Sequence, residues 1–286
     1  MHIFARKKRD KSPLSMLSLY DAPSAQIACE AGADAILVGD SLGNAILGYD
    51  STLPVTMSDM LRHTGAVVRG VKSSSRVDVA VVADLPFGSY ATPKRAIKNA
   101  VALLQIGAHA VKIEGVNPDL LQKMAREGIP VMGHLGFTPQ SVLQFESVVQ
   151  GKTSEVGQRL ARQAAVLEEC GAFAVVLEAV TGEVAQHITA QLKIATVGIG
   201  AGAGCDGQVL VWNDVVGLSP QTFKLAKAWA NTRQIWLEAA QNYVGEVQNG
   251  SFPAPENGWN MNDEERAKFS ASHDEIEIET LDEQPF

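Results

Sequence analysis

Gly107-Ala108-His109-Ala110-Val111-Lys112-Ile113-Glu114 carries a pattern that recurs along the chain: glycine, a short apolar run, then a side chain able to do chemistry. The same order appears from Gly32 to Asp40, from Gly128 to His134 and from Gly171 to Glu178. A helix often ends on a residue in the left-handed conformation, where glycine has no Cβ to clash. Continuous rather than alternating apolar runs mark strands buried on both faces of a parallel sheet. Such runs lie at 14–19, 35–39, 79–83, 110–114, 130–134, 173–178, 194–200 and 208–212. Helical patterns separate most of them; Val156, Leu160, Ala164 and Leu167 are spaced as one face of a helix. Eight strands alternating with helices over about 250 residues predict an α/β fold of the (β/α)₈ TIM-barrel kind. An open doubly wound sheet is the competing topology.

The rest of the chain sets boundaries on function. It has 286 residues and a formal net charge of −8. Residues 261–286 hold nine acidic groups against Arg266 and Lys268, so nearly all of that charge sits there. The remainder is close to neutral, which argues against a nucleic-acid binder. We therefore expect a basic N-terminal tail at 1–12, a barrel at 13–253 and an acidic, disordered tail at 254–286. No uncharged apolar run is long enough to span a bilayer, so no membrane is expected. The basic start lacks an apolar stretch behind it, and Cys29, Cys170 and Cys205 are odd in number and far apart. Both features suit a cytoplasmic protein with reduced thiols.

In a barrel, side chains at the carboxyl ends of different strands converge on one pocket. Asp40, Asp84, Glu114, His134 and Glu178 all stand at such ends, after interiors too apolar to need them. Lys112 and Glu114 are two apart and share a face, so they enter the same site or form a charge pair filling a barrel layer. Asp40, Asp84 and Glu114 together suit a hard cation such as Mg²⁺, which takes oxygen ligands and keeps waters. A lone strand-end aspartate, by contrast, often just caps the next helix. Glu178 follows Val175-Val176-Leu177, an apolar setting suited to a general base, or else it pairs with Lys112 or an arginine. His134 could donate a hydrogen bond or shuttle a proton, or be a satisfied core histidine. Ser41-Leu42-Gly43 offers a hydroxyl and backbone N–H groups to a carboxylate, or forms an ordinary turn. The glycine-rich run 198–204 lacks the helix and acidic partner of a dinucleotide site and reads as a loop near the pocket.

A set of collinear blocks narrows this further. Leu37-Val-Gly-Asp-Ser-Leu-Gly43, Asp50-Ser-Thr-Leu-Pro-Val55, Ala83-Asp-Leu-Pro-Phe87, Tyr90-Ala-Thr-Pro93 and Val111-Lys-Ile-Glu-Gly115 are followed by Gly133-His-Leu-Gly136, Thr138-Pro-Gln-Ser-Val142 and Gly198-Ile-Gly-Ala-Gly202. In this order, over residues 13–253, they closely resemble the ketopantoate hydroxymethyltransferase family. The resemblance implies a barrel of the phosphoenolpyruvate/pyruvate type. It also implies hydroxymethyl transfer from 5,10-methylenetetrahydrofolate to 3-methyl-2-oxobutanoate, giving ketopantoate in pantothenate biosynthesis. By the same resemblance Asp40, Asp84 and Glu114 match the positions for one Mg²⁺ per subunit, Glu114 through water. Asp40, Ser41, Asp84 and Lys112 match the oxoacid-binding positions, Glu178 the proton acceptor, and His134 a site histidine. The family also implies self-association, as a homodecamer. Departures from its pattern fall at Ser18-Leu19, Tyr49 and Asn213, none of them among the assigned residues. The alternatives are a lyase or mutase of the same barrel superfamily acting on another oxoacid or a phosphonate, and a non-catalytic subunit that kept the fold.

Overall fold

The structure, a computed structural model, describes residues 1–220 and 223–271. Eight parallel strands close into a barrel in sequential order, β1 pairing with both β2 and β8. They are β1 (Leu14–Ser18), β2 (Ala35–Val38), β3 (Ala80–Asp84), β4 (Ala110–Glu114), β5 (Val131–Gly136), β6 (Ala174–Glu178), β7 (Ala195–Ile199) and β8 (Gly207–Val211). The eight apolar runs each hold one strand, to within two residues at either end. Closure rules out the open sheet.

The helices are α1 (His2–Arg9), α2 (Ala22–Glu30), α3 (Leu42–Ala45), α4 (Met57–Lys72), α5 (Pro93–Gln105) and α6 (Pro118–Arg126). They continue with α7 (Ser154–Glu169), α8 (Gly182–Gln191), α9 (Trp212–Val215), α10 (Thr232–Asn249) and α11 (Asp263–Ala271). Local chemistry starts several of them. Asp21, Thr92, Asn117 and Thr153 each accept a backbone N–H two or three residues into the following helix. Thr56 and Asp59 complete a reciprocal capping box on α4. Leu160, Ala164 and Leu167 of α7 are buried as the spacing required, whereas Val156 is only half-buried. No helix joins β7 to β8, so the glycine-rich loop makes that connection alone.

Two apolar layers result. One lies between the strands and the surrounding helices. The other fills the barrel interior with Leu14, Met16, Ala35, Leu37, Ala80, Val82, Ala110, Met132, Ala174, Val176, Ala195, Val197 and Val209. Many of these are alanines at strand beginnings, and the space they leave is taken by Phe4, fully buried and edge-on to Phe173 at 5.2 Å.

That placement corrects the expected N-terminal tail. Residues 2–9 form a helix against the barrel's amino end, and its basic residues are not merely solvated. Lys7 pairs with Asp34 at 3.0 Å, and Lys8 pairs with Asp206 at 2.9 Å. Lys8 also donates to the Thr189 carbonyl, while Asp206 accepts from the Thr196 amide and hydroxyl. The charge run suggested a tail because a single aromatic among cations gives almost no periodic signal.

The barrel's compact unit spans Met1–Arg233, ending earlier than the expected 253. The second unit, from Gln234, contains most of α10 and all of α11, and neither helix buries a residue. Within the stretch expected to be a disordered tail lie the short 3₁₀ turn Pro255–Asn257 and helix α11. The remainder of that tail, 272–286, lies outside the described residues. Among those described, no helix is long and apolar enough to cross a membrane.

Candidate active site

Period-two alternation explains how the charged side chains arrive together. Val82, Ala110, Met132 and Val176 point into the barrel, so Asp84, Lys112, His134 and Glu178, each two residues on, point the same way nearer its carboxyl end. Glu114 follows Lys112 on that face. Asp40 comes just beyond β2, where its backbone N–H donates to Asp84 Oδ2 at 3.0 Å. The structure thus brings together Asp40, Asp84, Lys112, Glu114, His134 and Glu178.

The group forms one chain of charges. Lys112 Nζ lies 3.0 Å from Asp84 Oδ1 and 3.3 Å from His134 Nδ1. His134 Nδ1 stands 3.5 Å from Glu114 Oε1, and its Nε2 stands 3.2 Å from Glu178 Oε2. Asp84, Lys112 and His134 are buried; the Glu178 side chain keeps 19% of its surface exposed and so faces the entrance.

Electrostatics in this group are set by the excess of acids. Burial and the negative charge of Asp84 hold Asp40 well above the ordinary aspartate range. Burial alone would lower the Lys112 ammonium, but Asp84, Asp40 and Glu114 outweigh it and hold the lysine firmly charged. Burial and Lys112 likewise oppose protonation of His134, yet Glu114 and Glu178 prevail and raise the imidazole to about 9. Four acidic side chains thus surround one lysine and one histidine.

That oxygen-rich set suits a hard divalent cation, and the bonding supports the fit. Asp84 Oδ1, Glu114 Oε1 and His134 Nε2 are buried without a properly directed hydrogen bond, although each has a charged neighbour within 3.5 Å. Buried polar atoms of this kind are rare unless a ligand or ion completes them. Among the described residues no three of His, Cys, Asp and Glu are gathered as a ready-made metal cage.

Ser41 occupies a separate hydroxyl cluster beside Asp40. Its Oγ lies 2.8 Å from the Tyr20 hydroxyl and 3.5 Å from Ser18 Oγ. Gly39 makes room for this cluster, since a Cβ there would come within 2.8 Å of Ser41 Oγ and 2.9 Å of Ser18 Oγ. Tyr20 is fully buried, and burial pushes its hydroxyl up to about 12, so it stays a neutral donor. On the opposite rim Gly136, at φ +96°, lets the chain turn where any Cβ would strike the Glu178 carbonyl.

Sequence reasoning missed Tyr20, Tyr90 and Gln140. Tyr20 and Ser18 continue the inward face of Leu14 and Met16, a register signal that was available. Tyr90 and Gln140 reach the site from loops after β3 and β5, where no periodicity applies. Their presence in the shared blocks was the one trace.

Comparisons with known proteins identify the family. The model of the family described as Ketopantoate hydroxymethyltransferase matches residues 1–255. The 3-methyl-2-oxobutanoate hydroxymethyltransferase of Thermotoga sp. (strain RQ2) is 49% identical over 259 residues, covering 89% of this chain and 94% of the relative. That of Chloroflexus aurantiacus (strain ATCC 29366 / DSM 635 / J-10-fl) is 47% identical over 276 residues, covering 94% and 96%. Among solved structures, 2,3-dimethylmalate lyase, a PEP mutase/isocitrate lyase superfamily member, matches with a TM-score of 0.55 at 16% identity, covering 93% of this chain and 96% of that one.

Proposed function

Since the chain belongs to the ketopantoate hydroxymethyltransferase family, and its activity is the hydroxymethyl transfer that forms ketopantoate in pantothenate biosynthesis, we propose how its own residues carry out that reaction. The acceptor is 3-methyl-2-oxobutanoate and the one-carbon donor is 5,10-methylenetetrahydrofolate. Asp40, Asp84 and Glu114 would hold one Mg²⁺. Bound there, the ion would polarise the keto oxygen of the oxoacid and offset charge developing on it.

Forming a bond at C3 requires loss of a weakly acidic C–H proton, and Glu178 accepts it. Its partial exposure at the entrance supports that role, because the substrate must reach it. His134, 3.2 Å from Glu178 and 3.5 Å from Glu114, orients the base and is not itself the acceptor. Lys112 presents a permanent positive charge to the substrate oxygens, guaranteed by the acids around it. Ser41, with Asp40 and Asp84, completes the oxoacid contacts, and its hydroxyl is aligned by Tyr20.

The carrying observation is the convergence of Asp40, Asp84, Lys112, Glu114, His134 and Glu178 at one end of the barrel. Glu178→Gln should retain oxoacid binding yet lose exchange of the C3 proton in D₂O, followed by NMR. Full exchange in that variant removes Glu178 from the base role.

We further place the enzyme in the cytoplasm as a homodecamer. Its three unbonded cysteines suit a reducing compartment. Self-association is supported by α10, which exposes Ile235, Trp236, Tyr243 and Val244. Sedimentation velocity reads the subunit count directly, and a monomer would overturn it. A lyase or mutase activity gains nothing from the structural likeness, which at 16% identity reaches the fold alone.

A further inference from the structure

We infer that Gln140 is a positioning residue that holds the carboxylates of Asp40 and Glu114 in a cation-ready arrangement, with Tyr90 fixing the orientation of its amide. The inference rests on the metal reading proposed above. Gln140 lies in the 3₁₀ turn Pro139–Gln144 after β5, yet it is only 5% exposed. An amide so placed in an exposed loop needs an explanation, and its partners supply one.

Both ends of its side-chain amide and its backbone N–H are used. Its Nε2 donates to Asp40 Oδ2 at 2.7 Å and to the Leu85 carbonyl at 3.0 Å. Its Oε1 accepts from the Tyr90 hydroxyl at 2.6 Å, and its backbone N–H donates to Glu114 Oε2 at 3.0 Å. The amide can sit only one way round, because a carboxylate and a carbonyl both demand a donor where Nε2 stands. Tyr90 enforces the same orientation from the other side, and its oxygen lies 3.4 Å from the Glu114 backbone N–H.

The consequence is a division of each carboxylate. Gln140 engages one oxygen of Asp40 and one of Glu114. The other Glu114 oxygen, Oε1, is buried without a hydrogen bond. A loop anchor would need only backbone contacts such as the one from Ser141 N–H to the Thr138 carbonyl. Spending a buried side-chain amide on the Asp40 carboxylate, beside a backbone N–H given to Glu114, points instead to the ion. Groups that orient metal ligands from outside typically change metal affinity or activity by about 10–100-fold when lost.

The test uses the full-length enzyme and Mn²⁺ as a spectroscopic stand-in, titrated by electron paramagnetic resonance. Gln140→Leu should raise the Mn²⁺ dissociation constant by about 10–100-fold. Activity should return toward wild type at saturating metal, with the loss appearing in metal dependence rather than in the limiting kcat. Tyr90→Phe, which keeps the ring and frees the amide to turn, should shift the constant in the same direction by less. It also decides the matter if Gln140→Leu does not fold. Unchanged Mn²⁺ affinity in these variants, beside a wild type that binds, overturns the positioning role and leaves the metal reading intact. A wild type that binds no Mn²⁺ sinks the metal reading and this inference with it.

Discussion

The two ends of the barrel solve opposite problems with the same kinds of residue. At the amino end, Lys7, Lys8, Asp34 and Asp206 form partly exposed pairs whose oxygens are also met by Ser15, Thr196 and backbone amides. At the carboxyl end, Asp84, Lys112, Glu114 and His134 are more deeply buried, and several of their atoms lack a directed partner. Satisfied pairs at the rim hold a structure together. Unsatisfied charges in the interior cost stability unless something else completes them. The contrast separates the end that maintains the barrel from the end that works.

Removing one acid from the working end tests this most severely. Asp84→Ala should lower metal-dependent turnover by more than about 100-fold, beyond the usual effect of disturbing a ligand's support. A variant that stays active without added metal would break the distinction. The opposite result belongs to the amino end, where Phe4→Ala should cost roughly 3–5 kcal/mol of stability. Denaturant titration measures the loss, and the kcat of the folded fraction should not change. A fall in kcat at full folding would show that the plug shapes the site.

A smaller effect distinguishes the ends by pH. In metal-free enzyme the imidazole of His134 is raised from 6.5 to about 9, against burial and through Glu114 and Glu178. Its contribution is therefore complete below pH 6.5 and is lost as pH rises through about 9. At the amino end the sign is reversed. Burial opposes it, but Ser15 and Lys7 hold Asp34 below 3.8, so that contribution is lost only as pH falls past this value. Thermal unfolding between pH 6 and 9 should show a decline of a few degrees that His134→Gln flattens. An unchanged slope in that variant would assign the decline to other groups.

How much of this was legible beforehand follows from the same physics. A parallel barrel buries both faces of its strands, so each strand reads as an unbroken apolar run and the acid ending it stands out. That made Asp84, Lys112, Glu114, His134 and Glu178 visible by position, and the shared blocks gave them roles. Helix α1 was hidden because only Phe4 among its residues is buried. Gln140 and Tyr90 were hidden for another reason: their contacts cross between loops after β3 and β5, and sequence spacing does not encode such distances.

The Phe4 plug also constrains the order of events during synthesis. Helix α1 is synthesised about two hundred residues before the strand that completes its seat. Val209 belongs to the cluster that buries Phe4, and Asp206, which grips Lys8, immediately precedes β8. Until some two hundred further residues have emerged, the amino-terminal helix has no finished seat. Docking of the chain's start and closure of its ring must then occur together, so an interrupted translation product is left with an open sheet edge and an exposed aromatic.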